Sequence, residues 1–353
     1  MMKHWKKQAA AGLCVLFLTA APVSAANVAE QLLYGAAALA YVSEYYSALD
    51  NNAQSQFYDQ AMEETGVSED PEANARVQKI YEKLKSTGLI KRDYKVYVAP
   101  SDEINAFMSM GAVMGVNTGT LDSMDDDELA YVMAHELAHG EKRHSLSGVK
   151  KQVGLTTALN IYLSSNPTVA SSLLANVAGN YISKAVFTKD QEKEADDIGF
   201  EYLVAAGYNP GGASASMQLL YERYGDQAPT GIRSLIQPSD HPGTRERAKK
   251  NLKRLYEYSE KHVNIKDGEI EIDGKKTFAP QKAGRYTAEQ RAYLVAGKLA
   301  ALYHENRAGK VTQDGSHIYC GGTSVYTLGE NENGADIAKS LNDAMTKNEE
   351  KES

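Results

Sequence analysis

The residues best suited to chemistry lie in the segment His135-Glu136-Leu137-Ala138-His139, which has the pattern HExxH. Four residues advance an α-helix by about 400°, so the two imidazoles lie about 40° apart on one helix face. They can share one small cation at ~2.0–2.1 Å, the usual zinc–nitrogen distance. Glu136 points to the rim of such a site, where it can meet a water that the metal holds. The spacing predicts one zinc ion per chain, with His135 and His139 as ligands and Glu136 as general base.

A third ligand is expected in the segment Glu192-Lys193-Glu194-Ala195-Asp196, because catalytic zinc needs three protein ligands and one open position. On a helix Glu192 and Glu194 diverge by about 200°, so only one of them can face the metal. Glu192 shares its face with the small residues Ala195 and Gly199, which let two helices approach closely. Glu192 is therefore the predicted ligand, and Glu194 is assigned to the solvated side. Asp196 is expected to accept the outer N–H of a ligand histidine; the alternative is an ordinary surface helix rich in carboxylates.

Two further histidines follow these motifs. His144 lies five residues after His139, roughly 140° around the helix, so it is not expected to reach the site unless the helix bends. His241 stands before Pro242 in a turn ahead of a basic helix. It is interpreted either as a structural loop residue or as a group at the open zinc position or near the oxyanion formed there.

The elements that position these residues are mainly helical. Carboxylates from Asp125 to Glu128 favour a helix start, so the HExxH helix is predicted to run to about Arg143. Asp190 is expected to open the helix of the third ligand. Further elements are predicted from local patterns: helices at 26–49, 54–64 and 70–87, strands at 94–98 and 112–116, and two helices within 147–186.

The region 262–346 has a different pattern. Alternating strands are joined by two tight turns, Asp267-Gly268 and Asp273-Gly274, and Thr287 caps a helix. The predicted fold is α+β and mainly helical. It has an N-terminal helical segment (26–65), the domain with the metal site and a small edge sheet (66–261), a small α+β domain (262–346) and a charged tail (347–353).

Composition limits the class of protein and the compartment. The 353 residues contain 38 Lys+Arg and 46 Asp+Glu, and 42% are hydrophobic, which is typical of globular proteins and disfavours nucleic acid as a partner. Lys3, Lys6 and Lys7 precede an apolar run, and Val23-Ser24-Ala25 ends it. This pattern resembles a signal peptide (1–25) cleaved near Ala25. We therefore expect export to a bacterial periplasm or cell envelope.

The motifs taken together resemble metallopeptidase family forty-eight, the gluzincins that include the CAAX prenyl endopeptidase, HtpX and the periplasmic β-barrel-assembly-enhancing protease. The likeness is closest to the soluble, exported branch, and it covers roughly Ala75 to Leu255. It rests on four motifs in order: Asn105-Ala106-Phe107 with Gly111 and Gly119, the HExxH segment, Glu192 to Asp196, and His241-Pro242 with Arg247. The resemblance implies a zincin-like fold and endopeptidase activity, with His135, His139 and Glu192 on zinc and Glu136 as base.

The resemblance also implies an edge strand that holds substrate, here Gly111, Ala112, Val113 and Met114 and on to Asn117. The family usually has paired glycines where this chain has Gly111-Ala112, so substrate preference does not carry over. An extended substrate adds a strand to such an edge and is read mainly through its backbone. That mode suits unfolded or misassembled polypeptides of the cell envelope.

Other functions fit the same residues. One is a zinc-stabilised chaperone or assembly factor that binds envelope proteins without cutting them. Another is a latent enzyme in which His241 occupies the fourth zinc position until a client displaces it. The helices between Val149 and Val186 are expected either to cover the cleft or to rest on a membrane surface.

Overall fold

The computed structural model describes residues 40, 43–151, 187–225 and 243–346. Several predictions concern residues outside these ranges: the signal peptide, His241, the charged tail and most of the segment 149–186. Within the described ranges the α+β, mainly helical class is confirmed. The helices are α1 (Gln54–Thr65), α2 (Pro71–Lys85), α3 (Thr118–Ser123), α4 (Asp126–Glu141), α5 (Lys189–Ala205), α6 (Gly212–Tyr224), α7 (Thr244–Tyr258), α8 (Ala288–His304) and α9 (Gly334–Met345). Residues 43–52 and 144–151 are also helical.

The first sheet has three strands, β1 (Lys95–Ala99), β2 (Ala106–Ser109) and β3 (Val113–Asn117), in the order β1-β3-β2. The central strand β3 pairs in parallel with β1 and antiparallel with β2. The backbone groups of a central strand are used on both sides, so it cannot accept a further strand.

The predicted substrate edge at Gly111, Ala112, Val113 and Met114 is therefore wrong. Gly111 and Ala112 form the turn before β3, with φ of 73° and 58°, and Val113 and Met114 lie in the central strand. The strand on the outer side of β3 is β2, a segment of four residues that no alternating pattern marks. Among the described strands, β2 is the edge of the sheet next to α4.

Helix α4 is the centre of the structure. Asp125 accepts hydrogen bonds from the amides of Asp127 and Glu128 at 3.0 and 2.9 Å, and Glu128 Oε2 accepts from the Asp125 amide at 3.1 Å. This capping box satisfies amides that the first helical turn leaves open. Every residue from Glu128 to Gly140 is buried, as expected of a helix surrounded by other elements.

Helices α4 and α5 approach each other closely at a glycine. A Cβ at Gly199 would lie 3.0 Å from both the Cα and the amide nitrogen of His135. A side chain at this position would be closer than an ordinary contact, so α4 would have to shift by a few tenths of an ångström to accommodate it. The predicted role of the small residues on this face of α5 is confirmed.

The C-terminal region contains two three-stranded antiparallel sheets packed with α8 and α9. They are β4 (Val263–Lys266), β5 (Glu269–Ile272) and β6 (Lys275–Lys276), and β7 (Val311–Asp314), β8 (His317–Cys320) and β9 (Thr323–Thr327). Both Asp-Gly turns have two consecutive residues with positive φ, between 51° and 80°, which is the conformation of a type I′ hairpin.

This region shares one hydrophobic core with α4. Leu129 and Leu137 of α4 belong to the same cluster of buried residues as Val263 and Ala296. Tyr286 also donates to Asp125 Oδ2 at 2.7 Å, and Arg285 donates to Glu128 Oε2 at 2.9 Å. The start of the HExxH helix is thus attached directly to the C-terminal region. Within the described ranges, no helix is both long enough and apolar enough to cross a membrane.

Candidate active site

Two histidines of α4 and one glutamate of α5 meet between the two helices. His135 Nε2 and His139 Nε2 lie 3.1 Å apart, and the Glu192 carboxylate oxygens lie 3.5 Å from each of them. All three side chains are buried, and their ligand atoms fall within 4.8 Å of one another. We call this group the His-His-Glu cluster.

The donor set of the cluster fits a divalent metal ion. Ligand atoms at about 2.0–2.1 Å from a tetrahedral ion are about 3.3 Å apart, close to the separations of 3.1 and 3.5 Å. Glu192 Oε1 is buried and has no hydrogen-bond partner among the described residues. A buried carboxylate oxygen without a donor is costly unless a cation satisfies it.

Glu136 lies beside the cluster in a different electrostatic environment. Its side chain is fully buried, and neither carboxylate oxygen has a hydrogen-bond partner of ordinary geometry in the described part of the chain. Burial raises the pKa of Glu136 to about 8, and the neighbouring charge of Glu192 adds to the rise. The backbone of Met108, on β2, is near enough to lower this pKa in part. In this environment Glu136 binds a proton more readily than an ordinary glutamate does.

The outer nitrogen of His135 faces a buried carboxylate. His135 Nδ1 lies 3.1 Å from Asp196 Oδ1, where the carboxylate can accept its N–H. Arg247 donates to both oxygens of Asp196, at 2.6 and 3.0 Å, and Tyr131 donates to Oδ1 at 2.9 Å. Burial opposes ionisation of Asp196, but Arg247 and His135 hold its pKa well below the ordinary range. We call Tyr131, Asp196 and Arg247 the Asp196 network.

The outer nitrogen of His139 faces a third histidine. His139 Nδ1 lies 2.8 Å from His144 Nδ1, and His144 Nε2 lies 3.1 Å from Glu194 Oε2. The other oxygen of Glu194 pairs with Lys142 at 2.5 Å, and both of these side chains are more than 40% exposed. Burial lowers the pKa of His144, which favours its neutral imidazole. We call Lys142, His144 and Glu194 the His144 bridge.

A bend in the backbone brings His144 to the site. Helix α4 ends at Glu141, and Arg143 adopts φ of 55°, so the helical residues that begin at His144 run in a new direction. The helix does bend, which was the condition for His144 to reach the site. The left-handed conformation falls on an arginine, where glycine or asparagine would be the usual signal.

Comparison with known proteins places the chain in a family. Residues 71–255, more than half of the chain, match the family model described as Peptidase family M48. The chain belongs to peptidase family M48. The mainly helical, zincin-like class implied by its motifs is thereby confirmed, and an M48 chain with a His-His-Glu cluster has a metal site.

Individual M48 relatives match over part of their length. The metalloprotease LoiP of Escherichia coli K12 is 32% identical over 160 residues, which are 44% of this chain and 60% of LoiP. The metalloprotease YcaL of the same organism is 30% identical over 44% of this chain and 59% of YcaL. The β-barrel assembly-enhancing protease of that strain is 28% identical over 39% of this chain and 30% of its own length. The chain thus spans about three-fifths of LoiP and YcaL.

The predicted site residues of this M48 chain are placed as follows. The structure brings His135, Glu136, His139, Glu192 and Asp196 together, whereas the predicted substrate edge lies in the turn before the central strand β3 and in β3 itself. His241 lies outside the described residues. Sequence reasoning missed the contacts of Tyr131, Arg247, His144 and Glu194. Arg247 belongs to the His241-Pro242 motif of the sequence, but its approach to Asp196 depends on how α7 packs against α5.

Proposed function

We propose that this chain is a zinc-dependent endopeptidase. The observation that carries the proposal is the His-His-Glu cluster: the two histidine Nε2 atoms lie 3.1 Å apart and each lies 3.5 Å from one oxygen of Glu192, beside the buried carboxylate of Glu136. Two imidazoles and one carboxylate are the ligand set of a catalytic zinc site with one open position. The identity of the metal as zinc is part of this proposal, and so are the roles of the five site residues: His135, Glu136, His139, Glu192 and Asp196.

The protein supplies a base and an oriented ligand set. A zinc ion bound by the cluster contributes Lewis-acid polarisation of the scissile carbonyl and lowers the pKa of water. Glu136 takes a proton from the attacking water as the carbon–oxygen bond forms. Glu136 then gives the proton to the leaving amine as the carbon–nitrogen bond breaks. Asp196 holds His135 in the orientation in which Nε2 faces the cluster.

Substrate is proposed to align along β2 rather than β3. Met108 of β2 lies beside Glu136, so an extended polypeptide that follows β2 would pass the carboxylate. Alignment along a strand reads the peptide backbone and favours unfolded segments. With the signal-like sequence of residues 1–25 and relatives named for β-barrel assembly, this supports unfolded or misassembled envelope proteins as substrates.

The experiment compares Glu136→Gln with wild type and with the matched control Glu201→Gln, an exposed residue of α5. Casein serves as an unfolded substrate, with and without a chelator. Glu136→Gln should retain its metal but lose at least about 100-fold in the cleavage rate, because general-base contributions are of this size or larger. Glu201→Gln should cleave casein at the rate of wild type. The chelator should stop cleavage by wild type and by Glu201→Gln.

Full activity of Glu136→Gln would overturn the assignment of the base. The alternative of a non-catalytic chaperone predicts a different result. Wild type would then suppress casein aggregation without cutting it, and Glu136→Gln would do so equally well.

A further inference from the structure

The hydrogen-bonding capacity of the His144 bridge defines which nitrogens carry protons. A neutral imidazole has one N–H donor and one acceptor nitrogen. If His139 Nε2 offers its lone pair to a metal, His139 Nδ1 must carry the proton. The contact of 2.8 Å between His139 Nδ1 and His144 Nδ1 then requires His144 Nδ1 to be the acceptor.

The same logic continues to the surface. With Nδ1 as acceptor, His144 Nε2 carries the proton and donates to Glu194 Oε2 at 3.1 Å. Every polar atom in this series thus has the partner it needs, from a half-exposed carboxylate to the ligand nitrogen. Each acceptor in turn increases the electron density on the imidazole that donates to it, which makes His139 a better ligand.

We propose that His144 is a positioning residue for the metal site: it accepts the Nδ1–H of His139 and, held by Glu194, fixes His139 as an Nε2 ligand. The proposal rests on the metal site of the proposed function. It deepens that function by giving His139 its own support, separate from the Asp196 network that supports His135.

Packing alone does not explain the arrangement. Phe187 stacks on the His139 ring with centroids 3.8 Å apart, so the orientation of the ring plane already has an apolar support. An apolar residue at position 144 would fill the same space, but it would leave the buried His139 Nδ1 without an acceptor. The two nitrogens of His144 are instead both engaged, and its side chain is only 5% exposed. The distinctive consequence is an effect on metal affinity, beyond any effect on folding.

The test measures zinc affinity of the metal-free full chain by competition with a chromophoric chelator. His144→Phe keeps an aromatic ring of somewhat larger volume but removes the acceptor, and it should weaken zinc binding about 10–100-fold, the usual cost of losing an outer partner of a ligand histidine. His144→Asn places an amide oxygen near the position of Nδ1, so it should restore most of the affinity. Glu194→Gln should weaken binding by a smaller factor, and the control Glu201→Gln should not change it.

Two results would overturn the proposal. One is a His144→Phe variant that binds zinc within about twofold of wild type. The other is a nitrogen-15 NMR spectrum of the zinc-loaded protein in which His144 carries its proton on Nδ1 instead of Nε2. If His144→Phe fails to fold by circular dichroism, His144→Asn and the NMR spectrum decide. A wild-type protein that binds no zinc would instead refute the proposed function itself.

Discussion

The two histidines of α4 face the same cluster but have different supports. His135 is held by the Asp196 network, which is fully buried and includes an arginine. His139 is held by the His144 bridge, which ends at a carboxylate with 43% of its side chain exposed. A buried charge pair is costly to break, whereas an exposed pair contributes little to stability. One ligand is therefore tied to the folding of the domain, and the other can be tuned from the surface.

The largest effect is expected from Asp196→Asn. This change removes the negative charge that pairs with Arg247, a buried cation that also lies 3.5 Å from Glu192. Breaking a buried ion pair costs about 3–5 kcal/mol, so the free energy of unfolding of the metal-free protein should fall by that amount. Urea denaturation measures it, and Asp197→Asn, whose partner pair is partly exposed, serves as control. A loss below 1 kcal/mol would mean that the Asp196 network is not a stabilising unit.

A second prediction compares a carboxylate whose pKa is governed by burial, Glu128, with one whose pKa is governed by its ion pair, Asp196. Glu128 is as buried as Asp196, but burial, followed by the charge of Asp125, raises its pKa to about 7 despite the contact with Arg285. Because the folded state holds this proton more tightly, the stabilisation is present below pH 4.5 and is lost as the pH rises through about 7. The free energy of unfolding of wild type, relative to that of Glu128→Gln, should therefore fall by roughly 3 kcal/mol between pH 4.5 and pH 8.

Asp196 should behave differently over the same range. Its pKa is lowered, so its contribution is present above the unfolded pKa and is lost only in strong acid. The difference in the free energy of unfolding between wild type and Asp196→Asn, measured by urea denaturation, should stay constant from pH 5 to pH 8. Parallel pH profiles for the two variants would contradict the opposite pKa shifts of Glu128 and Asp196.

The smallest change in stability is expected from Glu194→Gln. Its ion pair with Lys142 is more than 40% exposed on both sides, so the free energy of unfolding should change by less than about 1 kcal/mol. Thermal and urea denaturation of the metal-free protein measure this. A loss of 3 kcal/mol or more would place Glu194 in the same class as Asp196 and remove the contrast between the two supports.

Local signals explain which parts of the fold the sequence predicted. The capping boxes at Asp125 and Thr287 and the two Asp-Gly turns depend on residues within four positions of each other, and all occur as expected. The spacing of His135 and His139 is likewise a property of one helix. Glu192 could be predicted because it shares one face of its helix with the small residues Ala195 and Gly199, which allow close packing against a second helix.

The features that were missed depend on non-local packing or on unusual backbone. Strand β2 has four residues and no alternation, and its place at the edge is decided by pairing with β3. His144 reaches the site because Arg143 takes a left-handed conformation that its residue type does not signal. Arg247 reaches Asp196 across 51 residues of sequence, a distance over which spacing carries no information.

The most direct test is the metal content of three purified proteins, measured per chain by mass spectrometry after dialysis. Wild type and Glu136→Gln should each hold one zinc ion per chain, because Glu136 is not a ligand, whereas Glu192→Ala should lose it. A Glu192→Ala protein that is folded and still holds one zinc ion per chain would contradict the assignment of the His-His-Glu cluster.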